Sequence, residues 1–135
     1  MGLTSQRLKN DADYKLTLSE NDFNKNQAQL EAHAYEDFLN KSGITIFSLS
    51  YCGHCNLMRK LFDEMGVSYK SIECDNVENL PVEARDNLME VTESRMFPKL
   101  FIGKTFYQGY TETLQRKKSG ELQNILDQNN IAYKN

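Results

Sequence analysis

The stretch Gly43-Ile44-Thr45-Ile46-Phe47-Ser48-Leu49-Ser50-Tyr51-Cys52-Gly53-His54-Cys55 passes from a short β-branched, apolar run into a turn that carries two cysteines three residues apart. A run of this length, rich in Ile, Thr and Phe and opened by glycine, is what a strand buried on both faces requires. The residues that follow change period. Leu57, Met58, Leu61, Phe62 and Met65 form one stripe of a helix, and Gly66 stands where a left-handed C-terminal cap belongs. Val67 to Cys74 returns to a strand-like pattern, so the segment reads as β-α-β, the unit that needs a parallel sheet and a crossover helix.

Working outward, Leu30, Ala34, Tyr35, Phe38 and Leu39 predict a helix from Gln27 to about Asn40–Gly43, and His33 within it reads as a solvated surface residue. Residues 1–26 are crowded with Asn, Asp and Ser and read as a polar, flexible extension. Pro81 suits the first position of a helix running to Thr92, with Val82, Leu88, Met89 and Val91 as its apolar members. After Pro98, Lys99–Gly103 and Thr105–Gly109 read as two strands around a tight turn. Thr111 is the candidate cap of a last helix that Gly120 interrupts before Leu122, Ile125 and Leu126. Residues 27–130 are thus expected as one α/β domain and 131–135 as a tail.

Composition narrows the function. The chain has 135 residues, a formal charge of −3 and 39% hydrophobic residues, enough for one domain with a core. It offers no basic footprint for nucleic acid and no apolar run long enough to span a membrane. The first residues do not form a secretory leader, and Gln6 spoils a myristoylation start, so the expected compartment is the cytoplasm. Three cysteines, an odd number, do not make a disulfide framework. They read as thiols.

Cys52-Gly53-His54-Cys55 lies between a predicted strand and a predicted helix, the context in which the spacing reads as a redox pair. A thiolate at Cys52 would face the unpaired N–H groups and the positive end of the helix, a setting that favours the ionised form. Cys52 is therefore the expected nucleophile and Cys55, one turn in, the resolving thiol. His54 can become imidazolium beside the thiolate, favouring the reduced form. Cys74 reads as a small buried apolar residue. A zinc site would need a second ligand pair at suitable spacing, which the sequence lacks, and no metal is expected.

With Ser50-Tyr51-Cys52, Arg95-Met96-Phe97-Pro98, Phe101-Ile102-Gly103-Lys104, Gln108-Gly109-Tyr110-Thr111-Glu112 and Ser119-Gly120-Glu121-Leu122 in view, the chain from about residue 27 to 128 resembles a dithiol glutaredoxin. The resemblance implies a thioredoxin-like fold, a central four-stranded mixed sheet flanked by helices. It implies a monomeric, glutathione-dependent oxidoreductase acting on glutathionylated or disulfide-containing proteins. Carried onto this chain, it makes Phe97-Pro98 a cis segment facing Cys52 that pairs with the cysteinyl part of glutathione, and it puts Tyr51 beside the same ligand. Thr111 and Glu112 would take the γ-glutamyl carboxylate and amine. Leu49 stands where such proteins usually carry a lysine for the glycine carboxylate, and Arg85 is placed to supply the missing cation. Gly53-His54 is also the dipeptide of protein disulfide isomerases, so a disulfide oxidoreductase without a glutathione site is a competing reading. A third is a module holding an iron–sulfur cluster through Cys52 and glutathione.

Overall fold

Strand β1, Ile44–Ser48, is buried at all five positions, as its apolar, β-branched sequence requires of a central strand. It pairs in parallel with β2, Lys70–Glu73, and antiparallel with β3, Lys99–Ile102, which in turn pairs with β4, Thr105–Phe106. The sheet order is β2-β1-β3-β4, mixed and four-stranded as expected. The computed structural model describes residues 34–134. The polar extension 1–26, His33 and the opening turns of the first expected helix lie outside these residues. What is described of that helix is a 3₁₀ segment, Ala34–Phe38, not an α-helix to residue 40.

Alternation in β1 and β3 sorts side chains between the two faces. Ile44 and Ile46 pair with Ile102 and Leu100, and this face meets Met58, Leu61 and Phe62 of helix α1, Gly53–Glu64, and its C-cap Met65. Leu122, Ile125 and Leu126 of a later helix join the same core. On the opposite face Phe101 is the centre of an aromatic cluster, with the rings of Tyr35 and Phe47 each 5.5 Å away and that of Phe106 at 5.3 Å.

Helix α1 closes as its sequence indicates. Gly66 adopts φ 68°, Gly66 N–H donates to Asp63 O and Val67 N–H to Phe62 O, the double bond of a Schellman cap. Val67 is thereby spent on the cap, and the strand expected from residue 67 starts only at Lys70. Helix α2, Val82–Thr92, begins one residue after Pro81. Its buried residues are Ala84, Asn87 and Leu88, whereas the expected members Val82 and Val91 are exposed. Asn87 faces inward because its Oδ1 accepts the buried Tyr35 N–H.

Two helices follow the hairpin, α3 (Tyr110–Ser119) and α4 (Glu121–Gln128), separated by Gly120 at φ 89°. The cap of α3 is Gly109, not Thr111. Glu112 Oε1 accepts Gly109 N–H at 3.2 Å, so the capping carboxylate acts from the third helical position and shifts the start back two residues. Residues 131–134, read from sequence as a tail, return to the core: Ile131 and Tyr133 pack against it and Lys134 N–H donates to Met65 O at 2.6 Å.

Candidate functional site

Cys52 is the N-cap of α1, and its Sγ accepts the Cys55 N–H at 3.3 Å. This is the geometry in which a helix start stabilises an anion: a backbone donor that the helix leaves unsatisfied is aimed at the sulfur. Cys52 is partly exposed, while Cys55 is fully buried. Burial, reinforced by the neighbouring Cys52 sulfur, pushes the Cys55 thiol up to about 12. The two cysteines thus differ in setting, one partly exposed at a helix N-terminus and one buried behind it with its thiol held protonated. Cys74 is buried, its thiol pushed up to about 12 by the same cause, and it stands apart from the pair, its Sγ against Ile72 O.

The loop before Cys52 is fastened. Ser50 N–H and Ser50 Oγ–H both donate to the Asp75 carboxylate, which these bonds hold below the usual carboxylate range. Asp75 belongs to the turn after β2, so the parallel β1–β2 pairing carries its restraint to within two residues of the nucleophile. Sequence reading passed over Asp75, since nothing local ties it to residue 50.

The peptide bond between Phe97 and Pro98 is cis, as the resemblance implied. Phe97 O lies 3.8 Å from Cys52 Sγ. From there a groove of about 370 Å³ runs to the start of α3, walled by Met96, Phe97, Pro98, Phe106 and Gln108 and reaching His54, Tyr110, Thr111 and Glu112. The His54 ring sits 5.6 Å from that of Tyr110. At the far end the first amides of α3 are free of intrahelical partners, with Thr111 exposed among them. The structure therefore brings together Cys52, His54, Phe97, Pro98, Thr111 and Glu112.

Tyr51 and Arg85 stand outside the groove. Tyr51 is 78% exposed. Arg85 places Nη1 3.5 Å from Cys74 O, at the turn bonded to Ser50, and its buried Nε has no hydrogen-bond partner. Thr92, Ser94 and Phe106 line the groove without having been singled out in the sequence. Among the described residues no three His, Cys, Asp or Glu side chains converge as a metal site.

This sheet, with a dithiol at the N-terminus of α1, defines a thioredoxin-like scaffold. The family model for glutaredoxin matches residues 44–107. A glutaredoxin of Ricinus communis is 31% identical over 91 residues, covering 67% of this chain and 88% of the relative. Mitochondrial glutaredoxin-2 of Homo sapiens is 31% identical over 104 residues, 77% of this chain but only 63% of that protein's length. Among solved structures, a buckwheat glutaredoxin–glutathione complex matches with a TM-score of 0.68 at 26% identity, over 80% of this chain and 97% of the other. The chain belongs to the glutaredoxin family.

Proposed function

We propose that this chain is a glutathione-dependent thiol–disulfide oxidoreductase that reduces protein–glutathione mixed disulfides and protein disulfides. The observation that carries the reading is the Cys52 sulfur at a helix N-cap, 3.8 Å from the Phe97 carbonyl on the wall of a groove of tripeptide size. The glutathione complex of the buckwheat relative supports the choice of ligand. Three unpaired cysteines suit a reducing, glutathione-containing compartment such as the cytoplasm.

In the proposed reaction the Cys52 thiolate attacks the glutathione sulfur of a mixed disulfide. The protein thiolate leaves and takes up a proton, and glutathione stays on Cys52. The thiolate of a second glutathione attacks the bound glutathione sulfur, releasing oxidised glutathione and restoring Cys52. With a protein disulfide, Cys52 forms a mixed disulfide with the protein, and Cys55 attacks the Cys52 sulfur to expel the second protein thiol. Two glutathiones then reduce the Cys52–Cys55 bond. The groove seats the tripeptide along the Phe97 backbone, its γ-glutamyl end at the amides of α3 with Thr111 and Glu112, and Tyr51 at the solvent side of the sulfur.

Turnover of a glutathione mixed disulfide coupled to glutathione reduction tests the reading. A rate no higher than that of Cys52→Ser would refute it. Cys55→Ser is expected to retain mixed-disulfide turnover within a few-fold while losing reduction of protein disulfides, because only the second reaction needs a resolving thiol. Equal loss of both activities would contradict the division of roles.

Arg85, half-buried at the Cys74–Asp75 turn that is bonded to Ser50, supplies the glycine carboxylate's cation in this proposal through its guanidinium charge. Arg85→Ala is expected to raise KM for glutathione by about tenfold, the scale of one charge-assisted hydrogen bond, with little change in alkylation of Cys52 by a neutral reagent. An unchanged KM would confine Arg85 to bracing the Cys74–Asp75 turn.

A further inference from the structure

Lys99 is the one charged residue among the largest fully buried side chains of the described residues, 1% exposed in the middle of the sheet. Strand alternation puts it beside Phe101 on the aromatic face, directly after Pro98. Its Nζ donates to Ser94 O at 2.7 Å and lies over two rings, 5.2 Å from the centroid of Phe97 and 5.8 Å from that of Phe106. All three partners line the groove. The segment from Ser94 to Phe97 is the connection that carries the Phe97 carbonyl to Cys52, and within it Met96 N–H donates to Ser94 Oγ. An ammonium buried under such a segment ties its first residue and its last ring to one point.

No lysine or arginine lines the groove among the described residues, where the ionisable groups are His54, Tyr110 and Glu112. A buried lysine is costly and persists only where its charge is satisfied, here by one carbonyl and two π-faces. That cost makes it a poor choice for mere packing.

We propose that Lys99 is a positioning residue for glutathione: from behind the groove wall its ammonium fixes the Ser94–Phe97 segment in the conformation that presents the Phe97 backbone to the ligand. The inference rests on the reading of the groove as the glutathione site. It predicts a titration as well. Burial lowers the Lys99 pKa from 10.5 to about 8, with the Cys74 thiol the one titratable group that acts on it, in the opposing direction. The ammonium is therefore present below pH 8 and lost as the pH rises through 8, and with it go the charge-assisted bond to Ser94 O and both cation–π contacts.

The experiment is calorimetric binding of S-methylglutathione, which cannot react, to the wild-type chain and to Lys99→Met at pH 7 and pH 9.5, together with amide exchange at Met96 and Phe97 in the unliganded proteins. The methionine matches the stem in length and removes the ammonium, with its charge and its donors to Ser94 O. The expected result is a Kd about five- to tenfold weaker for Lys99→Met at pH 7, a gap that closes by pH 9.5, and reduced protection of the two amides in the variant. Equal affinities at pH 7, or a gap independent of pH, would overturn the inference. If neither protein binds the probe, the reading of the groove fails. The clamp is then judged by exchange alone: lower protection factors in the variant sustain it and equal ones refute it. Should Lys99→Met not fold, the wild-type protection factors decide in the same way, falling between pH 7 and 9.5 if the ammonium holds the segment and constant if it does not.

Discussion

Cys52→Ser is expected to reduce turnover of a glutathione mixed disulfide by at least about a thousandfold, to the rate of the uncatalysed exchange. The attacking species in thiol–disulfide exchange is the thiolate, and a hydroxyl in the same place does not ionise near neutrality. Every structural device near this position is arranged around the sulfur: the helix start supplies the Cys55 N–H, Phe97 O faces it at 3.8 Å, and the Ser50–Asp75 bonds steady the approach. The control is Cys74→Ala. Cys74 is as buried as Cys55, its thiol also pushed up to about 12, and it lies outside the groove, so the same assay should give a rate within twofold of wild type. Activity that survived loss of Cys52 but not of Cys74 would remove the basis for the site. Mass spectrometry after incubation with oxidised glutathione gives a second readout, with one adduct on Cys55→Ser, which lacks the resolving thiol, and none on Cys52→Ser.

The features legible in the sequence were those set by neighbours in the chain. Ile44–Ser48 announces a strand because all its members are compatible with burial on both sides, and α1 announces itself by a stripe, a capping Gly66 and a cysteine at its start. The cis bond at Phe97-Pro98 and the arrangement of Phe97, Thr111 and Glu112 came through resemblance to a family, not from periodicity. Features set across the fold were hidden. Asn87 is buried because it accepts an N–H from Tyr35, 52 positions away, and that pairing turns α2 so that Val82 and Val91 face water. Lys99 in a strand-like run invites an edge or solvent reading, and only the antiparallel register with β1 shows that its face is covered. The start of α3 was nearer to hand: Gly109 followed three residues later by Glu112 is a cap-and-carboxylate spacing, which the more obvious threonine obscured.

Phe62→Ala is expected to lower the stability of the domain by about 3–5 kcal/mol, the usual cost of removing a buried ring. Phe62 has no exposed surface, belongs to the core that joins α1 to β1, β3 and α4, and lies 6.4 Å from the Tyr69 ring. Its carbonyl also accepts the Val67 N–H that ends α1, so relaxation into the void is resisted by a backbone bond at the same residue. Against a typical total of about 5–15 kcal/mol, such a loss leaves little or no folded margin, and for a domain of about 100 residues it corresponds to a fall in Tm of roughly 15 °C or more. Val91→Ala, on an exposed position of α2, is the comparison and should change stability by no more than about 0.5 kcal/mol. Urea unfolding of both variants measures the difference. A Phe62→Ala cost below about 1 kcal/mol would mean that α1 is not anchored through this ring. The same packing aims the N-terminus of α1, so Phe62→Ala, assayed at low temperature where a folded fraction survives, should also show slower alkylation of Cys52 per folded molecule. A helix that can rock on its core no longer holds the Cys55 N–H against the sulfur.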